Sequence, residues 1–372
     1  MSGAVLKRPF STKKALSERR GEGGSVKQPG CLQSNPERGR MMTKRIVLSL
    51  LIVSLLSVGF LTGPKVVAAA GAPYMLASAG TGGTAYVIGG AFSDVMRKFA
   101  DTKVTPMTTN GYIENCRILA QKRCAIGMSN PDVIYYAYHG KEMYSSGGKL
   151  SNLRYMAGGH TSGMQIVVPK NSPIKSIADL KGRRVAVGAP GSSVYPLSMD
   201  VLAVGNLKPT DVNRAFLSMT EMTEALQDNT VDAAIYCAGV PTSSVMNIFS
   251  TKEMRIVPYS KEEVLAFLAK VGPEKKALYG PYVVPANSYR GQTEPVPCMM
   301  FRSAVFTHQD VSIDTVYTFL KTIEAHTEDM GKIHPSGKEY TMEYLVQGAT
   351  IPLHPGAEKF FKEKGVTVTV AK

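Results

Sequence analysis

Tryptophan is absent from the 372 residues, cysteine occurs five times and histidine six times. No C-x-x-C pair is present, and no histidine stands at zinc-ligand spacing from a cysteine, so no metal is expected. The histidines at 139, 160, 308, 326, 334 and 354 are scattered and form no H-E-x-x-H. No G-x-S-x-G turn and no G-x-x-x-x-G-K-[ST] loop occurs, which removes the common signatures of hydrolases and nucleotide-phosphate enzymes. Asp94, Asp132 and Asp232 could ionise in a cleft, but nothing in the sequence pairs them with a nucleophile. Neither catalytic residues nor a cofactor is expected. Cys116, Cys124, Cys237 and Cys298 allow three disulfide pairings, and their spacing selects none; as unpaired residues they would be small buried hydrophobes.

Negative charge is in short supply, with 29 Asp and Glu against 43 Lys and Arg, a formal net charge of +14. Residues 1–70 hold 12 of the basic and three of the acidic residues, which leaves 31 against 26, a net +5, for 71–372. That body has no basic run interleaved with aromatics, so nucleic acid is not an expected partner. At 372 residues the chain is longer than a single core comfortably fills, which favours two lobes.

Lys44 and Arg45 precede an apolar run from Ile46 to Leu61, followed by small residues ending at Ala68-Ala69-Ala70. This is the pattern of a secretory signal cleaved near Ala70, and the run is short for a membrane span. No cysteine stands at the cleavage point to carry a lipid. Residues 41–70 are therefore the expected signal peptide and the location periplasmic. Residues 1–40 are polar, basic and glycine-rich, and Met41-Met42 directly precede the signal. The expectation is that 1–40 is a mis-called upstream start.

From residue 71 onward strand and helix signals alternate, which predicts an α/β fold. A strand over 74–79 precedes Gly80-Thr81-Gly82-Gly83-Thr84, and apolar residues at helical spacing follow to Phe99. A strand at 103–108, a helix over 110–121 and a strand at 124–128 come next, with Pro131 placed to open a helix. A second such series begins at Arg184. It has a strand to Gly188, a turn at 189–193, a helix toward Val204 and a strand over 216–219. A helix over 220–227 with Thr220 as cap, a strand at 233–237 and a helix after Gly239-Val240-Pro241 complete it. Residues 165–169, after Gly158-Gly159, and 299–307 are read as two crossovers between lobes. An amphipathic helix is expected from Ile313 to Glu328. The expected division is 71–163 with 304–372 as one lobe and 164–303 as the other, hinged at the crossovers.

Gly80-x-Gly82-x-x-Ala85 matches a dinucleotide fingerprint in form, but the following strand ends in Thr108-Thr109-Asn110 and lacks the acidic residue that would hold a ribose. Glycine loops that run into helix N-termini still offer free N–H groups to an anion. Four such loops, 80–84, 109–112, 190–194 and 238–242, are candidates for one site. The run Tyr135-Tyr136-Tyr138 reads as packing and helix surface.

These residues carry a family pattern. Gly80-Thr81-Gly82-Gly83-Thr84-Ala85-Tyr86 with Ile88-Gly89-Gly90-Ala91, then Glu114-Asn115, Asp132-Val133 and 174–188, resembles the TAXI family, the TRAP-transporter-associated extracytoplasmic immunogenic solute-binding proteins. Asp232-Ala233-Ala234, Gly239, Pro241-Thr242, Tyr289 with Gly291-Gln292 and the closing 351–357 continue the resemblance over nearly all of 74–363. It implies a type II periplasmic-binding-protein fold with the ligand in the cleft between lobes. It also implies a monomer that delivers its solute to the membrane subunits of a TRAP-type transporter. The implied solute is a small carboxylate such as glutamate, glutamine or 2-oxoglutarate. The implied ligand contacts are Gly82, Gly83, Thr84, Tyr86, Asn115 and Asp132 from one lobe, and Gly191, Ser192, Ser193, Gly239 and Thr242 from the other. Sensing in place of transport, or an enzyme on the same fold, are the alternatives. The family's usual G-S-G-T turn is Gly191-Ser192-Ser193-Val194 here, and Pro131 and Val240 stand where polar residues are common. These apolar exchanges predict a ligand with an apolar portion beyond its anionic group.

Overall fold

The computed structural model describes residues 73–276 and 278–370, all within the compact unit Ala68–Lys372. The upstream segment 1–40 and the signal peptide 41–70 lie outside the described residues.

The first series of elements is β1 (Tyr74–Ala77), α1 (Thr84–Phe99), β2 (Val104–Met107), α2 (Tyr112–Ala120), β3 (Ile126–Ser129) and α3 (Pro131–His139). Helix α1 forms because its apolar residues recur at helical spacing. It buries Ile88, Ala91, Phe92, Val95 and Met96, and places Arg97 and Lys98 in its last turn, where they complement the helix dipole. Strand β4 (Leu153–Pro169) leads to the second series: β5 (Arg184–Ala186), α4 (Val194–Val204), β6 (Asn213–Ala215), α5 (Met219–Gln227), β7 (Ala233–Ala238) and α6 (Ser243–Thr251). After β8 (Met254–Val257), α7 (Lys261–Leu268) and β9 (Gly280–Val284), strand β10 (Val296–His308) returns to the first series. The chain closes with α8 (Ile313–Ala325), α9 (Thr327–Ile333) and α10 (Pro355–Glu363).

Among the described residues the strands form one sheet in the order β2-β1-β3-β10-β4-β7-β5-β6, with β8 paired to β4 and β9 to β10. Each wing repeats one plan. The first strand of a series lies between the second and third, β2-β1-β3 and β6-β5-β7, and all are parallel. This is the α/β arrangement that the alternation of elements predicts, in the type II order that the family resemblance implies. The two crossover strands run antiparallel through the middle, from Leu153 opposite His308 to Met164 opposite Met299.

Strand β4 starts well before the expected Gln165, because Gly158-Gly159 does not break it. A side chain on Gly158 would collide with the Tyr344 and Gln347 carbonyls, and one on Gly159 with the Ser303 hydroxyl. The glycines permit close approach within a strand. The expected strand at 216–219 is displaced upstream: β6 pairs Asn213, Arg214 and Ala215 with Arg184, Val185 and Ala186. Met219 instead opens α5, and Ser218, not Thr220, is its cap. Ser218 Oγ accepts the Glu221 N–H at 3.3 Å, and the Glu221 carboxylate accepts the Ser218 N–H at 2.7 Å, a reciprocal capping box. The helix expected over 313–328 ends at Ala325, and α9 starts a separate segment.

The buried apolar side chains gather in three clusters. The largest draws only on residues from Met164 to Phe301. The other two draw on residues before 158 and after 303. We call these the second and first halves of the core. Cys116, Cys124, Cys237 and Cys298 are all free and buried.

Candidate functional site

In a parallel sheet the loops that leave the C-terminal strand ends all open on one side. Here both wings do this, so the loops after β1 and β2 meet those after β5, β6 and β7. The Ser244 N–H donates to the Gly82 carbonyl at 3.1 Å, and the Glu114 N–H donates to the Gly191 carbonyl at 3.2 Å. The Thr84 hydroxyl donates to the Gly239 carbonyl at 2.8 Å. A Cβ on Gly111, whose φ is +125°, would stand 3.1 Å from Ser192 Cα. The two halves are therefore in direct contact along the loop edge.

Two adjoining cavities remain between them. The one against the crossover strands, inner in that sense and about 50 Å³, is bounded by Gly83, Thr84, Tyr112, His160, Ser162, Ser193, Met219, Cys237, Gly239 and Phe301, among others. The outer one, about 280 Å³, is bounded by 80–83, 108–111, Gly188, Ala189 and 217–220, with Met222 behind. Gly83, Gly111, Ser192, Val194 and Met219 belong to both walls. No Asp, Glu, Lys or Arg lines either cavity among the described residues.

Three helices open onto the inner cavity. Helix α1 begins after Gly83, α2 after Gly111 and α4 after Ser193, and none of these cap residues makes a side-chain cap, although the neighbouring Ser192 Oγ takes the first N–H of α4 and the Gly191 carbonyl takes the Glu114 N–H of α2. The N–H groups of a first helical turn have no partner within the helix. Their partial positive charge converges on a space with no formal charge. By contrast α5, α7, α8 and α10 are capped by Ser218, Ser260, Ser312 and His354.

The structure sorts the predicted ligand contacts. Gly82 lines the outer cavity, Thr84, Ser193 and Gly239 the inner one, and Gly83 and Ser192 both. The Thr84 hydroxyl proton is already engaged by Gly239, and Ser192 Oγ accepts the Val194 N–H at 3.1 Å. Five residues line neither cavity. Gly191, at φ +84°, turns the loop that brings Ser192 in. Tyr86 lies in the first turn of α1, half-buried. Asn115 is fully buried. Its amide reaches the Ala77, Ser78 and Met128 carbonyls at 3.2, 2.6 and 2.8 Å, and its oxygen accepts from Thr109 at 2.7 Å. It fastens β1 to β3 and holds the loop that carries Thr109 to Gly111. Thr242 is likewise fully buried, with its hydroxyl donating to the Gly239 carbonyl at 2.7 Å.

Asp132 stands apart from the cavities in a buried bridge between the halves. The Tyr279 hydroxyl lies 3.1 Å from Asp200 Oδ2 and 3.4 Å from Asp132 Oδ2, and shares one proton between them. Lys275 donates to both Asp200 oxygens at 2.8 and 2.7 Å. Burial pushes the Asp132 carboxyl up to about 6, against the pull of Lys275, and also raises Asp200.

Sequence reasoning missed His160, Ser162, Tyr112, Met219 and Phe301. His160, Ser162 and Phe301 sit on the crossover strands, where alternation shows that they point off the sheet but not what they face. His160 is 1% exposed, and burial lowers its imidazolium to about 3, so the ring is neutral.

The profile of the NMT1-like family matches residues 76–365. A protein of Escherichia coli (strain K12) named as an aliphatic sulfonates-binding protein is 43% identical over 68 residues, 18% of this chain and 21% of that one. The chain thus matches about a fifth of the length of that curated relative. Similar solved structures include the periplasmic aliphatic sulphonate binding protein of Escherichia coli, at 17% identity, 80% of this chain, 94% of that chain and a TM-score of 0.42. Another is the substrate binding protein of an amino acid ABC transporter, at 11% identity, 74% and 100% coverage and a TM-score of 0.43.

Proposed function

Because the chain belongs to the NMT1-like family, we propose that it is an extracytoplasmic solute-binding protein. It closes on a small monoanion with an apolar portion and delivers it to a membrane transporter. One observation carries this reading: the N-termini of α1, α2 and α4, whose cap residues Gly83, Gly111 and Ser193 make no side-chain cap, meet at a cavity that has no charged side chain. Such a site satisfies an anion by oriented N–H groups and excludes a bare cation. The walls at Val194 and Met219, shared by both cavities, and at Leu217 in the outer one suit an apolar chain attached to the anion.

The head group in this reading is a carboxylate or a sulfonate. The carboxylate is what the resemblance to the TAXI family implies, and the sulfonate is suggested by the name of the Escherichia coli relative. The motifs favour a TRAP-type transporter as the partner. The closing bodies are 71–163 with 304–372 and 164–303, hinged where β4 and β10 pass between the halves. Their ligand contacts are the N–H groups around Gly83, Gly111 and Ser193, with Asn115, Asp132 and Thr242 as supports.

The test is a thermal-shift panel on protein stripped of solute by unfolding and refolding. It contains short alkanesulfonates, the matching carboxylates, glutamate, glutamine and 2-oxoglutarate. A ligand at 100 times its dissociation constant adds about 2.7 kcal/mol, a rise of about 5 °C for a body of this size. A monoanion with an alkyl chain is expected to give that rise. A panel in which only glutamine, its one member without net charge, raises Tm, or in which no member does, refutes the reading.

A further inference from the structure

We propose that His160 is the head-group reader of this site, a neutral imidazole that presents its Nε2–H to an oxygen of the bound anion. The inference rests on the solute-binding reading and names the residue that would decide which end of the solute enters the inner cavity.

The argument starts from the crossover. Strand β4 passes from the first half to the second just beyond Gly158 and Gly159, and its partner β10 has an irregularity there between Arg302 and Ala304. Ser303 falls in that irregularity, and its hydroxyl donates to the His160 carbonyl at 3.0 Å. Its proton is therefore engaged. Nδ1 of His160 lies 2.9 Å from the Tyr340 hydroxyl and 3.1 Å from Ser303 Oγ. Tyr340 is fully buried, and burial holds its phenol well above the usual range, so it keeps its proton. A buried phenol has to place that proton on an acceptor; the Ser303 hydroxyl is a second partner of the phenol, and in the proposed arrangement Nδ1, at 2.9 Å, is the acceptor.

With Nδ1 accepting, the ring proton of a neutral imidazole resides on Nε2. Neither of the ring's protein hydrogen bonds involves Nε2, and the residue lines the inner cavity. A donor fixed by a phenol behind it and buried in front offers one N–H to the chamber and no formal charge. Such a group favours a carboxylate, sulfonate or carbonyl oxygen and rejects an ammonium.

The contrast between the two cavities sets the proposed orientation. The inner one, about 50 Å³, is the smaller and carries His160 and the helix N-termini, so the head group is seated there. The outer 280 Å³ then receives the remainder. The head group lies among His160 and the N-termini of α1, α2 and α4, and the apolar portion runs out past Met219 toward Leu217.

The experiment is ring-nitrogen NMR on the full-length chain labelled with ¹⁵N, with the His160 signals assigned by loss in His160→Gln. Ethanesulfonate, butanesulfonate, butanoate and L-glutamate are the added probes, with Tm followed on the same samples. The expected spectrum has a proton on Nε2 and an accepting Nδ1. A probe that raises Tm is expected to move Nε2 and leave Nδ1 nearly in place. His160→Leu is expected to weaken that probe about tenfold, the worth of one hydrogen bond to a charged group, while His160→Gln retains a donor and loses about threefold. If the leucine variant does not fold, Tyr340→Phe replaces it: a mixture of tautomers and about fivefold weaker binding are expected.

A proton on Nδ1 in the native protein overturns the proposal. So does a probe that raises Tm but leaves the His160 signals unmoved, or binds the leucine variant as tightly as the native chain. If no probe raises Tm, the solute-binding reading fails and the proposal fails with it. Binding without a His160 response fails the proposal alone.

Discussion

Replacing Asp132 by asparagine should make the protein more stable, and by an amount set by pH. Asp132 is 5% exposed and sits with Asp200, Lys275 and Tyr279 between the halves. Burial raises its carboxyl from 3.8 to about 6. A raised folded value means that the protonated acid is the form the fold favours. The stabilising contribution is complete below pH 3.8 and is lost as pH rises through about 6. Above that the ionised group costs about 3 kcal/mol, from roughly two units at about 1.4 kcal/mol each.

Asparagine never ionises, and its geometry suits the place. Its oxygen can still accept the Val133 N–H, which lies 2.8 Å from Asp132 Oδ1. Its amide can donate to the Tyr279 oxygen, which leaves the phenol proton for Asp200. The gain over native protein is therefore expected to be about 3 kcal/mol at pH 8 and about 1 kcal/mol at pH 4.5. Urea unfolding at the two pH values measures it, with the midpoint shifting and the slope unchanged. A gain that is the same at both values, or a variant less stable at pH 8, refutes the account of Asp132 as a desolvated acid.

Two further outcomes separate support from contact. Asn115→Ala leaves the Ala77, Ser78 and Met128 carbonyls and the Thr109 hydroxyl without their buried partner, so calorimetry is expected to show a loss of about 3 kcal/mol even without ligand. An unchanged Tm would show that the amide serves the cavity instead. Thr84→Val keeps the shape and removes the bond to Gly239 across the halves. Titration calorimetry is expected to give about fivefold weaker binding, with the unliganded Tm within about 2 °C of native; a larger drop in Tm with unchanged affinity would assign Thr84 to folding alone.

The loops themselves were legible in the sequence. Glycines at 80, 82 and 83 before a helical period, and at 191 before another, mark helix N-termini after strands; Gly191 turns at φ +84°, which glycine adopts at low cost, and Gly82 leaves room for Ser244 Oγ. Gly83, Thr84, Ser192, Ser193 and Gly239 consequently fall on the cavity walls. The roles of Asn115 and Thr242 were not legible. An amide or hydroxyl can contact a ligand or fasten backbone, and only the positions of Ala77, Met128 and Gly239 decide between them.

The sequence by itself determined the alternation of strand and helix, the two matched series and the glycine loops, because periodicity and turn chemistry act between neighbours. Tertiary structure decided everything that depends on partners distant in the chain. Gly158-Gly159 continues a strand because residues 344–347 and Ser303 press against it. Asp132 joins a bridge with Asp200 and Lys275, and does not face the cavity. His160 becomes a candidate donor because Tyr340, 180 residues away, engages its other nitrogen. Hydrogen bonds and desolvation depend on distance in space, and local pattern carries no record of that distance.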